Sequence, residues 1–270
     1  MREQQITCCS VCGHTQIDVV VAHDHIARVY DDNYFTAGGG GYADYLDEAD
    51  PLRRRGARYA KLLTRYGRPA RLLDVGSAAG FIAAGFAAAA WNVTAIDPNP
   101  AMVQYARDVV GIDAHSETLE TFAERTTERF DALVMIQIAG HLVDPERAFR
   151  CAAKLTAPGG LWLIETWNAS SWTARLLGRS WHEYNPPSVL QIFTPASLRA
   201  FAARQGFHEL GCGRPHKAIS AAHAKALLRA KMHEGRAIAL AAQVARFVPD
   251  AITLPYPADD LFYSVFRRPA

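Results

Sequence analysis

Two carboxylates at the ends of apolar runs mark where this chain can do chemistry. Leu72-Leu73-Asp74-Val75-Gly76-Ser77-Ala78-Ala79-Gly80 passes from an apolar segment through an acid into a turn of small residues. Val93-Thr94-Ala95-Ile96-Asp97 is a second apolar segment ending in an acid. A carboxylate in the second position can take two hydrogen bonds from a ribose diol, each worth about 1.5–3 kcal/mol because the acceptor is charged. Small side chains between Gly76 and Gly80 let the backbone approach a ligand closely. His141 is the third group of interest, since an imidazole with a pKa near neutral can take a proton from an oxygen nucleophile. The elements that bring these groups together form a βαβ unit, which holds a nucleoside-bearing cofactor at the carboxyl end of a parallel sheet.

A dinucleotide fold calls for Gly-x-Gly-x-x-Gly. Counted from Gly76, the middle glycine is Ala78 and the last is Phe81. A nicotinamide or flavin site and a plain strand–turn–helix are the competing readings of this spacing. The pattern is closer to Asp-x-Gly-x-Gly-x-Gly with one glycine replaced, and it resembles motif I of the class I S-adenosylmethionine-dependent methyltransferases. Asp74, Gly76 and Gly80 match and Ala78 departs; alanine fits there with negative φ or with little strain.

The resemblance extends over roughly residues 60 to 214. Phe130–Ile136 looks like the family's fourth strand, and Leu155-Thr156-Ala157-Pro158-Gly159-Gly160 looks like the helix end and turn before the fifth, Leu161–Thr166. Ile138-Ala139-Gly140-His141-Leu142-Val143-Asp144-Pro145 is similar to the Glu-His-Leu-x-x-Pro segment of one large subgroup, with Gly140 in place of the glutamate. Trp181–Pro187 and Phe193–Leu198 resemble the same subgroup. The resemblance implies a doubly wound, seven-stranded, mostly parallel α/β sheet of the Rossmann-like methyltransferase type, with S-adenosyl-L-methionine as cofactor. It places Asp97 on the ribose hydroxyls and the Gly76–Gly80 loop, with Ser77 and Ala78, under the amino-acid tail, and it adds Asp74, Phe81 and Pro98 to the cofactor-binding residues. The adenine is expected near Ser116 and Glu117 with Ile96 or Met102 beneath it, and Gln137 completes the set. His141 is expected as base or orienting group, its alternative being a structural histidine that caps the next helix. Asp144 before Pro145 reads as that helix's N-cap.

Five parts follow along the chain: a cysteine- and histidine-bearing segment over 1–33, a helical cap over 34–70, the cofactor domain over 71–214, a helical insertion over 215–258, and a final strand within 259–270. Gly206–Leu210 reads as the sixth strand and Leu261–Phe266 as an antiparallel seventh, separated by a helical pattern over about Ala218 to Phe247. The net charge of +2 does not argue for nucleic acid or an anionic membrane as partner. Arg53-Arg54-Arg55 with Arg58 reads as a solvated helix face. The absence of an apolar segment after Met1-Arg2-Glu3, together with five cysteines that form no disulfide framework, leads to the expectation of a reducing cytoplasm. Cys9-x-x-Cys12-Gly13 has the spacing of a zinc knuckle, which Cys8, His14, His23 or His25 would have to complete; unligated thiols are the other reading, and no metal is assigned. Cys151 and Cys212 read as small buried apolar residues.

The partner expected is a small-molecule acceptor, with a homodimer left open. Tyr34, Phe35, Tyr42, Tyr45, Trp167, Trp172, Trp181, His182 and Tyr184 are the aromatic candidates for contacting it, against the alternative that they pack the core. The leading function is O-methylation of a secondary metabolite, sugar or lipid-linked acceptor. The alternative is a non-catalytic binding or assembly module that keeps the fold.

Overall fold

The structure is a computed structural model that describes residues 5–19, 21–22, 24–31, 34, 45–216, 218–221, 225, 243–249, 253–255 and 259–270. Its strands in chain order are β1 (Ile6–Cys8), β2 (Thr15–Ile17), β3 (Arg71–Val75), β4 (Asn92–Asp97), β5 (Asp113–Ser116), β6 (Phe130–Ile136), β7 (Thr156–Trp167), β8 (Gln191–Ile192), β9 (His208–Gly213), β10 (Ala218–Ser220), β11 (Thr253–Pro255) and β12 (Leu261–Arg267). The described α-helices are α1 (His25–Val29), α2 (Ala49–Leu63), α3 (Phe81–Ala87), α4 (Pro100–Tyr105), α5 (Leu119–Arg125), α6 (Pro145–Leu155), α7 (Trp172–Leu177) and α8 (Pro195–Arg204).

The central sheet has seven strands in the order β5-β4-β3-β6-β7-β12-β9. β3 through β7 pair in parallel, and β12 runs antiparallel between β7 and β9. This is the doubly wound sheet expected from the sequence, with the last strand inserted beside the fifth. The strand order turns around at β3, with β4 on one side and β6 on the other. A crevice therefore opens at the carboxyl end of β3, where such sheets hold ligands.

Alternation along each strand fills both faces. Leu72, Ala132, Leu163 and Val265 join the core cluster that contains α2 and α3. Leu73, Leu133, Trp162 and Phe266 join the opposite cluster with α5, α6 and α8. Strands covered on both sides read as continuous apolar runs, which is why these segments stood out in the sequence. The Pro158-Gly159-Gly160 turn lies inside β7 rather than before it. Phe130 faces Thr156 while Ala132 faces Leu161, so the turn forms an outward bulge in an otherwise paired strand.

α2 and α3 touch backbone to backbone. A Cβ at Gly85 would lie 2.3 Å from the Arg53 carbonyl oxygen, and one at Gly56 would lie 2.2 Å from that of Ile82. This contact sets the depth at which α3 sits behind the Gly76–Gly80 loop. α2 also corrects the reading of its arginines. Arg55 is buried and forms an ion pair with Glu165 of β7, which also accepts a hydrogen bond from the Tyr59 hydroxyl. A run of arginines hides one inward-facing member when the helical period carries it to the covered face.

The chain divides into two compact units, one of Met1–Arg214 with Asp259–Ala270 and one of Pro215–Ala258. The first also contains a small antiparallel sheet of order β1-β2-β8. In the second, Ala218–Ser220 pairs antiparallel with Thr253–Pro255, so the expected helix does not begin at 218. Pairing with a distant segment overrides the local alanine preference there. Most of the rest of that expected helix lies outside the described residues.

Gly85→Ala should lower stability by about 1–3 kcal/mol, because the added methyl group meets main-chain atoms that cannot rotate away. Denaturant unfolding checks this, and an unchanged midpoint would show that the two helices separate without cost.

Candidate active site

β3 ends at Val75, and the loop after it is bound to its neighbour by two bonds: Gly76 N–H and Ser77 N–H both donate to the Ile96 carbonyl, at 2.8 and 3.1 Å. Gly76 has φ 71°, and a Cβ there would lie 2.2 Å from Ile138 Cδ1. Ala78 departs from the expectation of negative φ, standing at φ 46°. Its N–H donates to Asp97 Oδ2 at 2.8 Å, and this charged hydrogen bond holds alanine in a conformation that costs about 1–2 kcal/mol. Phe81 is turned into the core, stacked on Tyr45 at 5.9 Å, so its main chain is what faces the loop.

Asp97 accepts a second bond on Oδ1 from Asn99 N–H at 2.9 Å. Burial raises its pKa to about 6, against the pull of those two N–H donors. Asp74 is raised to about 7, by burial first and by the Asp97 charge second. Asp74 Oδ2, Ser77 Oγ and Gln137 Nε2 are buried without hydrogen-bond partners, at the carboxyl ends of β3 and β6. Buried polar groups are normally satisfied, so three orphans at one sheet edge indicate a polar ligand. S-adenosylmethionine fits this set. Its ribose hydroxyls would donate to the remaining lone pairs of Asp97, and its amino-acid tail carries both an ammonium and a carboxylate for the orphans by the loop.

Ser116 pairs in register with Asp97, and Glu117 N–H donates to the Asp97 carbonyl at 3.1 Å. The Glu117 carboxylate is engaged by Arg125 at 2.8 Å. Pro98 is half-buried, and Met102 N–H is capped by Asn99 Oδ1 at 2.9 Å. Met102 and Ile96 belong to different core clusters.

His141 ends a 3-10 turn over Ala139–His141 just past β6. The next helix is capped by Asp144, which accepts from Arg147 N–H at 3.0 Å. His141 instead turns Nδ1 toward the Ser188 carbonyl at 2.8 Å. A carbonyl only accepts, so the proton sits on Nδ1 and Nε2 keeps its lone pair. Burial lowers the imidazole pKa, and the Ser188 bond opposes that only in part.

The segment 181–191 supplies that carbonyl and folds back over the turn. Leu190 N–H donates to the Gly140 carbonyl at 2.9 Å, and Glu183 Oε2 lies 3.9 Å from where a Cβ at Gly140 would be. Trp181 is buried with its indole N–H on Asp260 Oδ2 at 2.8 Å, and His182 meets the Trp167 ring edge-on at 4.4 Å. Tyr184 packs edge-on against Trp181. Of the other aromatic candidates, Tyr45 packs in the core, Trp172 is 79% exposed, and Phe35 and Tyr42 lie outside the described residues. Sequence reasoning missed Tyr30, Asn99 and Ser188. Only Asn99, before Pro100, carried a local signal, that of an N-cap.

Cys9 and Cys12 lie in the β1–β2 hairpin, where N–H groups of Cys12 and Val11 lower the Cys9 thiol pKa. His14 points elsewhere, its Nε2 on Gln191 Oε1 at 2.8 Å and its ring against Phe193. Among the described residues, no three metal-binding side chains converge; His23 lies outside them. Cys151 packs against the core as expected, whereas Cys212 is exposed.

A family model described as "Methyltransferase domain" matches residues 51–210. The chain belongs to this family, with a class I methyltransferase fold and S-adenosylmethionine as cofactor. It is 32% identical over 148 residues to the ubiquinone biosynthesis O-methyltransferase of Xanthomonas oryzae pv. oryzae (strain PXO99A), a match covering 49% of this chain and 60% of that relative. Among solved structures it is similar to a SAM dependent methyltransferase from Archaeoglobus fulgidus, with 13% identity, TM-score 0.59 and coverage of 88% of this chain and 100% of that one. It is also similar to the Burkholderia thailandensis 1,6-didemethyltoxoflavin-N1-methyltransferase, with 16% identity, TM-score 0.57 and coverage of 99% and 100%. Both structural likenesses concern the fold.

Asp97→Ala should weaken S-adenosylhomocysteine binding by about 1.5–3 kcal/mol. Unchanged affinity in calorimetry would place the ribose elsewhere. The two raised carboxylates also set a pH dependence. Their contribution to the unliganded fold is full below the ordinary carboxylate range and is lost as pH rises through about 6 to 7. Cofactor donors favour the ionised forms, so binding should release protons and tighten as pH rises from about 5, by at most about tenfold per unit for each proton released, and level off above about 7. Titration in two buffers of different ionisation heat measures that release, and pH-independent affinity would refute it.

Proposed function

We propose that this chain transfers the methyl group of S-adenosylmethionine to an oxygen of a small-molecule acceptor such as a secondary metabolite, sugar or lipid-linked alcohol. The observation that carries this reading is His141, held by the Ser188 carbonyl in the tautomer whose Nε2 can accept a proton. The name of the Xanthomonas relative supports oxygen as the methylated atom.

The cofactor, when bound, supplies an electrophilic methyl on a sulfonium that loses its charge on transfer. The protein aligns the two partners, and effective molarity contributes roughly 7–11 kcal/mol of barrier reduction. Asp97 and the Gly76–Gly80 loop fix the donor end. His141 Nε2 takes the hydroxyl proton of the acceptor as the oxygen attacks, and the resulting imidazolium is stabilised through Nδ1–H on Ser188. Segment 181–191 covers the His141 turn, bonded to it through the Ser188 carbonyl and Leu190 N–H.

His141→Ala should lower turnover by roughly 10²–10⁴-fold while S-adenosylhomocysteine affinity stays near wild type. A radiolabelled methyl assay over hydroxylated aromatic and sugar acceptors, with calorimetry alongside, checks both. Full activity would mean that the acceptor arrives ionised. Joint loss of affinity and fold would make the histidine structural, and His182 and Tyr184 would then be tested. Because burial lowers the His141 pKa, activity should hold through neutral pH and fall only below the ordinary imidazole range.

A further inference from the structure

Four hydrogen bonds, relayed through the covalent frames of Asn99 and Tyr30, link the Asp97 carboxylate to the His141 imidazole. Asn99 N–H donates to Asp97 Oδ1, and Asn99 Nδ2 donates to the Tyr30 carbonyl at 3.0 Å. The Tyr30 hydroxyl donates to the Ser188 carbonyl at 2.8 Å, the same oxygen that accepts His141 Nδ1–H at 2.8 Å. The Tyr30 ring meets the His141 ring edge-on at 5.6 Å and the Tyr34 ring at 5.0 Å.

The shared oxygen has two lone pairs, and the two donors take one each. Burial pushes the Tyr30 hydroxyl far above the ordinary phenol range, so it stays a donor wherever the protein is folded. The peptide unit that carries the Ser188 carbonyl is held on its other side by Val189 N–H, which donates to the Asn185 carbonyl at 3.1 Å, and the Tyr30 hydroxyl supplies a second fixed direction at the oxygen itself. We propose that Tyr30 is a positioning residue for methyl transfer: its hydroxyl fixes the carbonyl that sets the His141 tautomer, and its main chain ties that fixture to the Asp97 loop. The proposal rests on the reading of His141 as the base. It assigns to the segment before Tyr34 a role in preorganising the base that packing alone would not require.

Tyr30→Phe isolates this role, because it keeps the ring, its edge-on contacts and the Asn99 bond while removing one hydroxyl. The measurement is nitrogen NMR of the His141 ring in uniformly ¹⁵N-labelled full-length protein. In the wild type, the Nδ1 resonance should be protonated and the Nε2 resonance unprotonated, well separated; a dominant Nε2–H tautomer would overturn the proposal without any variant. In Tyr30→Phe the two resonances should move toward each other as tautomers mix, with S-adenosylhomocysteine affinity within about twofold of wild type, a small change on the affinity scale. Resonances unmoved in a folded variant would make Tyr30 a packing residue only and refute the role. The tautomer is read without ligand, so a wild-type protein that fails to bind S-adenosylhomocysteine would overturn the methyl-transfer reading while leaving the tautomer result to decide the fixture.

Discussion

The burial of the Asp97 carboxylate is the constraint on which the site depends. A buried charge is costly unless it is paired or hydrogen-bonded, and here the compensation comes from two main-chain N–H groups, those of Ala78 and Asn99. Each bond shapes the chain that supplies it. The first holds Ala78 in a left-handed conformation and so sets the path of the loop. The second starts the turn in which Asn99 caps α4 through Met102. One side chain thus organises both the loop after β3 and the helix after β4. The compensation is incomplete, as the upward shifts of Asp97 and of neighbouring Asp74 show. Groups left partly unsatisfied at a crevice are what a cationic, hydroxyl-bearing ligand relieves.

A second buried carboxylate is treated differently. Glu165 is fully covered, yet it meets a guanidinium and a phenol directly, Arg55 and Tyr59 of α2. The partners keep that charge satisfied within the protein, so its role is to locate α2 against β7. Burial in turn pushes the Tyr59 hydroxyl up to about 12, which keeps it a donor to the carboxylate. α2 then positions α3 through the Gly56–Gly85 contact, and α3 backs the loop that Asp97 shapes. The Glu165 main chain takes part as well, since its carbonyl accepts from Gln137 N–H at 2.8 Å, just where the chain leaves β6 for His141. Removing one member of such a buried pair commonly costs about 3–5 kcal/mol, far more than a surface pair.

The features legible in the sequence are those written in short, contiguous patterns. β3, β4, β6 and β12 are apolar runs bounded by turns, and the acid at the end of β4 lies one turn-helix unit after the loop it serves. Asp144 before Pro145 announced its own cap. What was illegible joins positions far apart in the chain. Nothing near Arg55 distinguishes it from Arg53 or Arg54 until Glu165 is known to lie opposite. Nothing near His14 points to Gln191, and Ser188 acts through a main-chain carbonyl that any residue would provide. Ala78 was legible as a departure but not in its consequence, because its φ is held by the hydrogen bond its N–H donates to Asp97 rather than by its own preference. Ala218–Ser220 failed for the same reason, with partner strand Thr253–Pro255 outweighing local propensity.

This division has a consequence for how the site is built. On the proposed reading, the donor end is made from strand ends and the loop between them, all fixed by the parallel ladder. On the same proposed reading, the acceptor end is made from His141 together with two pieces that are not part of the ladder, the segment around Tyr30 and the segment 181–191. Those pieces are bound to the ends of the sheet by identifiable bonds, among them Asn99 to Tyr30, Leu190 to Gly140, and Trp181 to Asp260. Side chains between these anchor points can change in size and polarity while the anchors and the ladder stay as they are. A fold whose chemistry depends on alignment can therefore accept different molecules by altering the segments that cover it, without disturbing the carboxylates at its strand ends. In this chain Gly140 illustrates the exchange. A Cβ there would lie 3.3 Å from the Gln191 carbonyl oxygen and 3.9 Å from Glu183 Oε2, so the covering segment packs against the turn at the point where the glutamate of the resembling subgroup is replaced.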